Sequence, residues 1–205
     1  DSCGEWSEEA CFEMGLLNEK DWTAKWIDPE PAHNSEERQP ASYLKKEFEV
    51  ERTGHARLYI TAHGVYDAYI NGIKAGDFIL APGTSQYDVR LQYQSYDVSS
   101  LLRQGKNEIV VTIGDGWWRG DTGYGGERNS FGTDLGLLCQ LEIDKKTVLV
   151  SDGSWMASQT GPLGHNDLMQ GEQYDARKED ICEWHPVTER KIGYGNLVCS
   201  NSFDV

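Results

Sequence analysis

The stretch Ala56-Arg-Leu-Tyr-Ile-Thr-Ala-His-Gly-Val-Tyr-Asp-Ala-Tyr-Ile-Asn-Gly72 decides the fold of this chain. Ala56, Leu58, Ile60 and Ala62 fall on one side of an extended backbone, and the alternation resumes from Val65 to Ile70 after the turn residues His63-Gly64. Asn71-Gly72 is the dipeptide best suited to a two-residue hairpin, because both positions accept positive φ. The stretch predicts half-buried antiparallel strands folded back at Asn71-Gly72.

The same signals recur on both sides of it. Leu44, Lys46, Phe48 and Val50 share one face of a strand. Asp97 is placed to cap a single turn over Ser99-Ser-Leu-Leu102, which Gly105 ends before Glu108 to Ile113 returns to strand. Leu135 to Ile143 and Thr147 to Ser151 flank Asp144-Lys145-Lys146 as a further hairpin, and Trp155 is expected on a strand of its own. No segment sustains a helical period beyond about three turns. The expected class is all-β, a jelly-roll-like antiparallel β-sandwich with a short extra N-terminal segment and its ligand loops at the ends of the sheets. Residues 1–28 read as an acidic connector that docks through aromatics, 29–41 as a polar loop, 42–185 as the sandwich and 186–205 as a linker toward a following domain.

At 205 residues one main domain is expected. Its 34 acidic against 19 basic side chains give a net charge of −15, which repels nucleic-acid phosphate and anionic lipid. The apolar runs fall short of the roughly 20 residues of a membrane-spanning helix. Neither nucleic acid nor membrane is therefore expected as a partner; neutral molecules, cations and protein surfaces are. The five cysteines contain no CxxC pair. Free thiols are the expected state, Cys139 as a small core residue, and they favour a reducing, cytoplasmic compartment. The opening residues read as internal to a longer polypeptide, which leaves secretion open.

Chemistry concentrates in Gly114-Asp-Gly-Trp-Trp-Arg-Gly120. Its glycines let the backbone turn sharply and let a ligand approach. In extended geometry Trp117 and Trp118 point to opposite sides, so one indole is left for a surface or a ligand. A pyranose stacks its C–H face on such a ring while Asp, Asn and Arg satisfy its hydroxyls. A second polar loop holds His165, Asn166 and Asp167. Asp115, Asn166 and Asp167 surround a hard cation only if the fold joins the two loops, and their spacing is not that of a calcium loop. Glu172 and Asp175 suggest a general acid pair, but nothing in the sequence desolvates one of them, and an Asp175–Arg177 pairing accounts for the loop equally. No nucleophile elbow, phosphate loop or dinucleotide fingerprint occurs, and the histidines lack metal-binding spacing; His165 alone is a site candidate.

Ala56 to Ala62, Tyr66 to Gly72, Leu80-Ala-Pro-Gly83, Leu91-Gln-Tyr-Gln94, Tyr96-Asp-Val98, Gly114-Asp-Gly-Trp117 with Arg119-Gly120, and Gly171-Glu172 with Tyr174 to Arg177 occur in an order that resembles the N-terminal β-sandwich domain of bacterial α-L-rhamnosidases. The likeness covers about residues 42–180. Upstream, Trp6-Ser7, Phe12-Glu13, Gly15 to Leu17 and Trp22 to Ile27 are similar to the exit from a preceding fibronectin-like domain, which makes residues 1–20 its last strand. The resemblance implies that the glycosidase acid and base lie in a downstream (α/α)₆ barrel, so that this chain is inactive alone and has the downstream domains of the same polypeptide as partners. It further implies recognition of L-rhamnosides by Asp115, Gly116, Trp117, Arg119, Asn166 and Glu172, with calcium, held by Asp115 and Asn166, as the cofactor of some members. A spacer that only orients the catalytic domain is the competing expectation.

Overall fold

The computed structural model describes residues 13–30, 37–123, 125–180 and 183–200. The strands are β1 (Trp26–Asp28), β2 (Ser42–Val50), β3 (Ala56–His63), β4 (Val65–Ile70), β5 (Ile73–Lys74), β6 (Leu91–Asp97), β7 (Gly105–Gly114), β8 (Gly136–Ile143), β9 (Lys146–Val150), β10 (Met156–Ser158), β11 (Leu163–Asp167), β12 (Gly171–Tyr174), β13 (His185–Pro186), β14 (Thr188–Arg190) and β15 (Leu197–Cys199). One helical turn, α1 (Gly116–Arg119), follows β7. As the sequence requires, Asn71 and Gly72 take φ of 51° and 80°, and Ile70 pairs with Ile73 across the turn. Asp144 and Lys145 repeat this geometry between β8 and β9, with φ of 49° and 64°.

Two sheets face each other. One has the order β13-β10-β2-β7-β4-β5, the other β14-β1-β8-β3-β6-β15 with β9 added to β8. From β2 to β8 the chain crosses repeatedly between them, as in a jelly roll, while β11 and β12 form a separate hairpin. The pairing is antiparallel except that β15 runs parallel to β6. Between the sheets lie Leu44, Val111, Ile113 and Ile70 from the first, against Leu58, Ile60, Leu137, Cys139 and Leu141 from the second. Burial pushes the Cys139 thiol well up, so it stays an inert, neutral core residue.

The seven-stranded sheet is buried on both faces, so β3 and β8 are not the half-buried strands that alternation predicts. On its outer face Trp22, Trp26, Tyr59, Tyr87, Tyr93 and Leu138 make a second apolar cluster, with Leu16, Ile192, Tyr194 and Leu197 packed over it. Of the expected connector and linker, the described residues Trp22, Trp26–Asp28, Thr188–Arg190 and Leu197–Cys199 pack with the sandwich. Trp26–Asp28 pairs with both β8 and β14, and Leu197–Cys199 extends the sheet beyond β6, because their apolar side chains cover this outer face. Of the N-terminal stretch expected as a neighbouring domain's strand, residues 1–12 lie outside the described residues, and 13–20 form no strand. Trp155 sits in the turn before β10 rather than on a strand; its fully buried indole donates to the Val150 carbonyl at 2.8 Å.

Candidate functional site

The Gly-rich run begins where β7 ends at Gly114, beside the β11–β12 hairpin. Gly116 has φ +53°, and an added Cβ there would lie 2.6 Å from Val65, so the backbone turns tightly into α1. Because Trp117 and Trp118 lie on a helical turn, they do not point to opposite sides as an extended chain would place them. Both are partly buried against the outer aromatic cluster. Trp118 stacks on His63 at 3.8 Å and 3°, His63 stacks on Trp26 at 4.2 Å, and the Trp118 indole donates to the Asp134 carbonyl at 3.0 Å.

Arg119 points the other way, into the protein. Its Nη1 and Nη2 donate to Glu30 Oε2 and Oε1 at 2.6 and 3.0 Å, and its Nε donates to Asp115 Oδ1 at 2.6 Å. All three side chains are at most 4% exposed. Ser42 Oγ donates to Glu30, and Arg128 Nη2 donates to the other Asp115 oxygen at 3.2 Å. Burial pushes the Asp115 carboxyl above its ordinary value against the pull of Arg119 and Arg128. Burial also works against the charge of Arg119, but Glu30 and Asp115 outweigh it and hold the guanidinium firmly protonated. This network ties the loop after β1 to the end of β7 from beneath.

Above it the β11–β12 hairpin frames a groove. Asn166 pairs with Glu172 across the hairpin, and Asn166 Oδ1 accepts the Asp115 backbone N–H at 3.2 Å. Asp167 secures the hairpin by accepting from the backbone N–H groups of Asp121, Met169 and Gln170. Gly114 has no side chain to compete with Asn166: a Cβ would lie within 2.6 Å of Asn166 Nδ2. The groove has a volume of about 160 Å³, lined by Val65, Asp67, Leu80, Thr112, Asn166 and Glu172. A recess of about 100 Å³ adjoins it at Gly116, Asp167 and Leu168. Pockets for drug-sized ligands hold roughly 300–1,000 Å³, so this space suits one small polar ring. Its lining combines the amide of Asn166 and the carboxylate of Glu172 with the apolar side chains of Val65 and Leu80.

Of the sequence-predicted residues, Gly116, Asn166 and Glu172 border the groove, Asp115 and Arg119 brace it from below, and Trp117 packs against the aromatic cluster. His165 lies on β11 but is not among the lining residues. The pair Asp115 and Asn166 does not fit calcium, which takes 6–8 oxygens. Both Asp115 oxygens face guanidinium groups, the Asn166 oxygen accepts a backbone N–H, and no group of three or more metal-ligating side chains occurs among the described residues. Asp175 is bonded twice to Arg177, which holds its carboxyl down to about 2, and Glu172 is exposed. Asp175 is therefore held ionised, the opposite of what a general acid needs. Glu30 escapes sequence reading because its partner lies far along the chain: Glu30 and Arg119 are 89 residues apart.

Comparison with known proteins places this geometry. The family described as alpha-L-rhamnosidase N-terminal domain matches residues 51–198. The chain belongs to this family. An α-L-rhamnosidase of Formosa agariphila is 37% identical over 193 residues, spanning 87% of this chain and 20% of the relative. The native α-L-rhamnosidase from Aspergillus terreus superimposes with a TM-score of 0.83 at 36% identity, over 89% of this chain and 23% of that one. The Streptomyces avermitilis α-L-rhamnosidase, solved in complex with L-rhamnose, gives 0.68 at 36% identity over 75% of this chain and 16% of that one. This α-L-rhamnosidase N-terminal domain thus spans about a fifth of the length of the Formosa relative.

Proposed function

We propose that the chain is a non-catalytic carbohydrate-recognition module of an α-L-rhamnosidase, holding one L-rhamnosyl unit in the groove between β4, β7 and the β11–β12 hairpin. The observation that carries this is the pairing of Asn166 with Glu172 on a braced hairpin, where they line a groove of about 160 Å³ together with Val65 and Leu80. The amide and carboxylate hydrogen-bond the ring hydroxyls, and the aliphatic wall covers the methyl group and C–H edge of a deoxysugar. Titration with L-rhamnose, followed by backbone amide NMR shifts, tests it. Shifts confined to Val65, Thr112, Asn166 and Glu172 are expected; none at millimolar sugar overturns the reading.

The spacer reading has one observation in its favour. Neither Trp117 nor Trp118 is left as an open stacking platform, since both join the aromatic layer on the seven-stranded sheet. A titration without shifts would therefore assign the domain to orienting the rest of the polypeptide.

A further inference from the structure

The groove opens onto the outer face of the six-stranded sheet. Two of its lining residues, Asp67 and Thr112, form a cross-strand row with Tyr43. The next row on this face is Lys45, Val110 and Tyr69, with Lys74 at the edge. These side chains point away from the core, because Leu44, Ala68, Ile70, Ile109 and Val111 between them are buried. Tyr69, Val110 and Lys74 are partly exposed. Rows two residues apart are separated by roughly 7 Å along the strands, so this row lies directly beside the groove.

The two rows differ in access. The first is closed at Tyr43, whose hydroxyl accepts the Leu163 N–H from the hairpin wall at 3.1 Å. The second carries the flat ring of Tyr69 beside Val110, and its edge ends in the Lys74–Asp67 pair, 2.6 Å apart. Lys45 is held under the Trp184 ring at 4.0 Å. The row therefore offers an apolar platform flanked by paired charges, which suits a neutral, hydroxylated ring rather than an ion.

We propose that Tyr69 and Val110 form a second sugar subsite, so that the module takes an oligosaccharide: its terminal L-rhamnosyl unit fills the groove and the next unit lies on this row. The inference rests on the groove reading above and goes beyond it in naming the ligand as a chain rather than a single sugar.

Calorimetry with L-rhamnose and with a disaccharide ending in a non-reducing α-L-rhamnosyl unit tests it. The disaccharide should bind roughly three- to tenfold more tightly, the range one ring-stacking contact supplies. Tyr69→Ala should erase that gain and leave L-rhamnose binding unchanged, and Val110→Lys, which blocks the row without removing the ring, should do the same. Equal affinities for the two sugars, or variants that keep the full gain, overturn the second subsite while sparing the groove. Failure of both sugars to bind overturns both.

Discussion

Arg119 and Glu30 meet in a two-pronged ion pair sealed from water, Nη1 to Oε2 at 2.6 Å and Nη2 to Oε1 at 3.0 Å. With Asp115 on the third donor, the guanidinium joins the loop after β1 to the turn that carries the glycines. Removing one member of such a cluster strands the others in a poorly solvating interior. Arg119→Met is expected to destabilise the fold by about 3–5 kcal/mol. Arg119→Lys should recover only part, because an ammonium cannot span Glu30 and Asp115 with the same fork. Urea unfolding of the three proteins checks this; a loss below about 1 kcal/mol for Arg119→Met would remove the network from the account.

His63 lies between Trp26 and Trp118, and burial, aided by the charge of Arg190, lowers its pKa from 6.5 to about 4. The unfolded chain takes up this proton below pH 6.5, whereas the folded chain resists until about pH 4. The stabilisation is therefore complete above pH 6.5 and declines as pH falls through that window. Between pH 7 and 5 the loss attributable to His63 is roughly 2 kcal/mol. His63→Phe keeps the stack and should flatten the slope of stability against pH over this range. An unchanged slope contradicts the assignment.

Gly114→Ala separates binding from folding. The added methyl meets the amide end of Asn166, which can swing aside, so the unfolding free energy should stay within about 1 kcal/mol of the parent. The hydrogen bonds that Asn166 offers the groove are then misplaced, and affinity for L-rhamnose should fall roughly three- to tenfold. Unaltered affinity in the folded variant would mean that Asn166 does not touch the sugar.

The purified chain should release no nitrophenol from 4-nitrophenyl α-L-rhamnoside. Glu172 is open to water and Asp175 is clamped by Arg177, so these two do not form an opposed acid and base pair in a closed cleft. Release that tracks the protein through purification and disappears in Glu172→Gln would reverse this.

The sandwich was legible where strands have one wet face. In β2, β4 and β7 polar and apolar residues alternate, and Asn71-Gly72 sets the register. It was less legible in β3 and β8, which are covered twice. Leu137-Leu138-Cys139 gave the available signal, since a contiguous apolar run marks a strand buried on both sides. The site divided in the same way. Gly116, Asn166 and Glu172 were singled out because polar side chains among glycines mark ligand loops, and they border the groove. Asp115 and Arg119 look the same in sequence, and only the depth of Glu30 turns them into a brace. Val65 and Asp67 read only as strand residues and Leu80 only as part of Leu80-Ala-Pro-Gly83, so their part in the groove depends on how β4 and the following loop meet the hairpin.

Calorimetric titration of the intact chain with L-rhamnose, in parallel with Asn166→Ala, tests the central claim most directly. A site for about eleven non-hydrogen atoms is expected to bind in the micromolar to millimolar range, and Asn166→Ala should abolish the heat while its unfolding curve stays close to the parent's. No heat from the parent at millimolar sugar, or equal binding by the folded variant, would contradict it and leave the domain as a spacer.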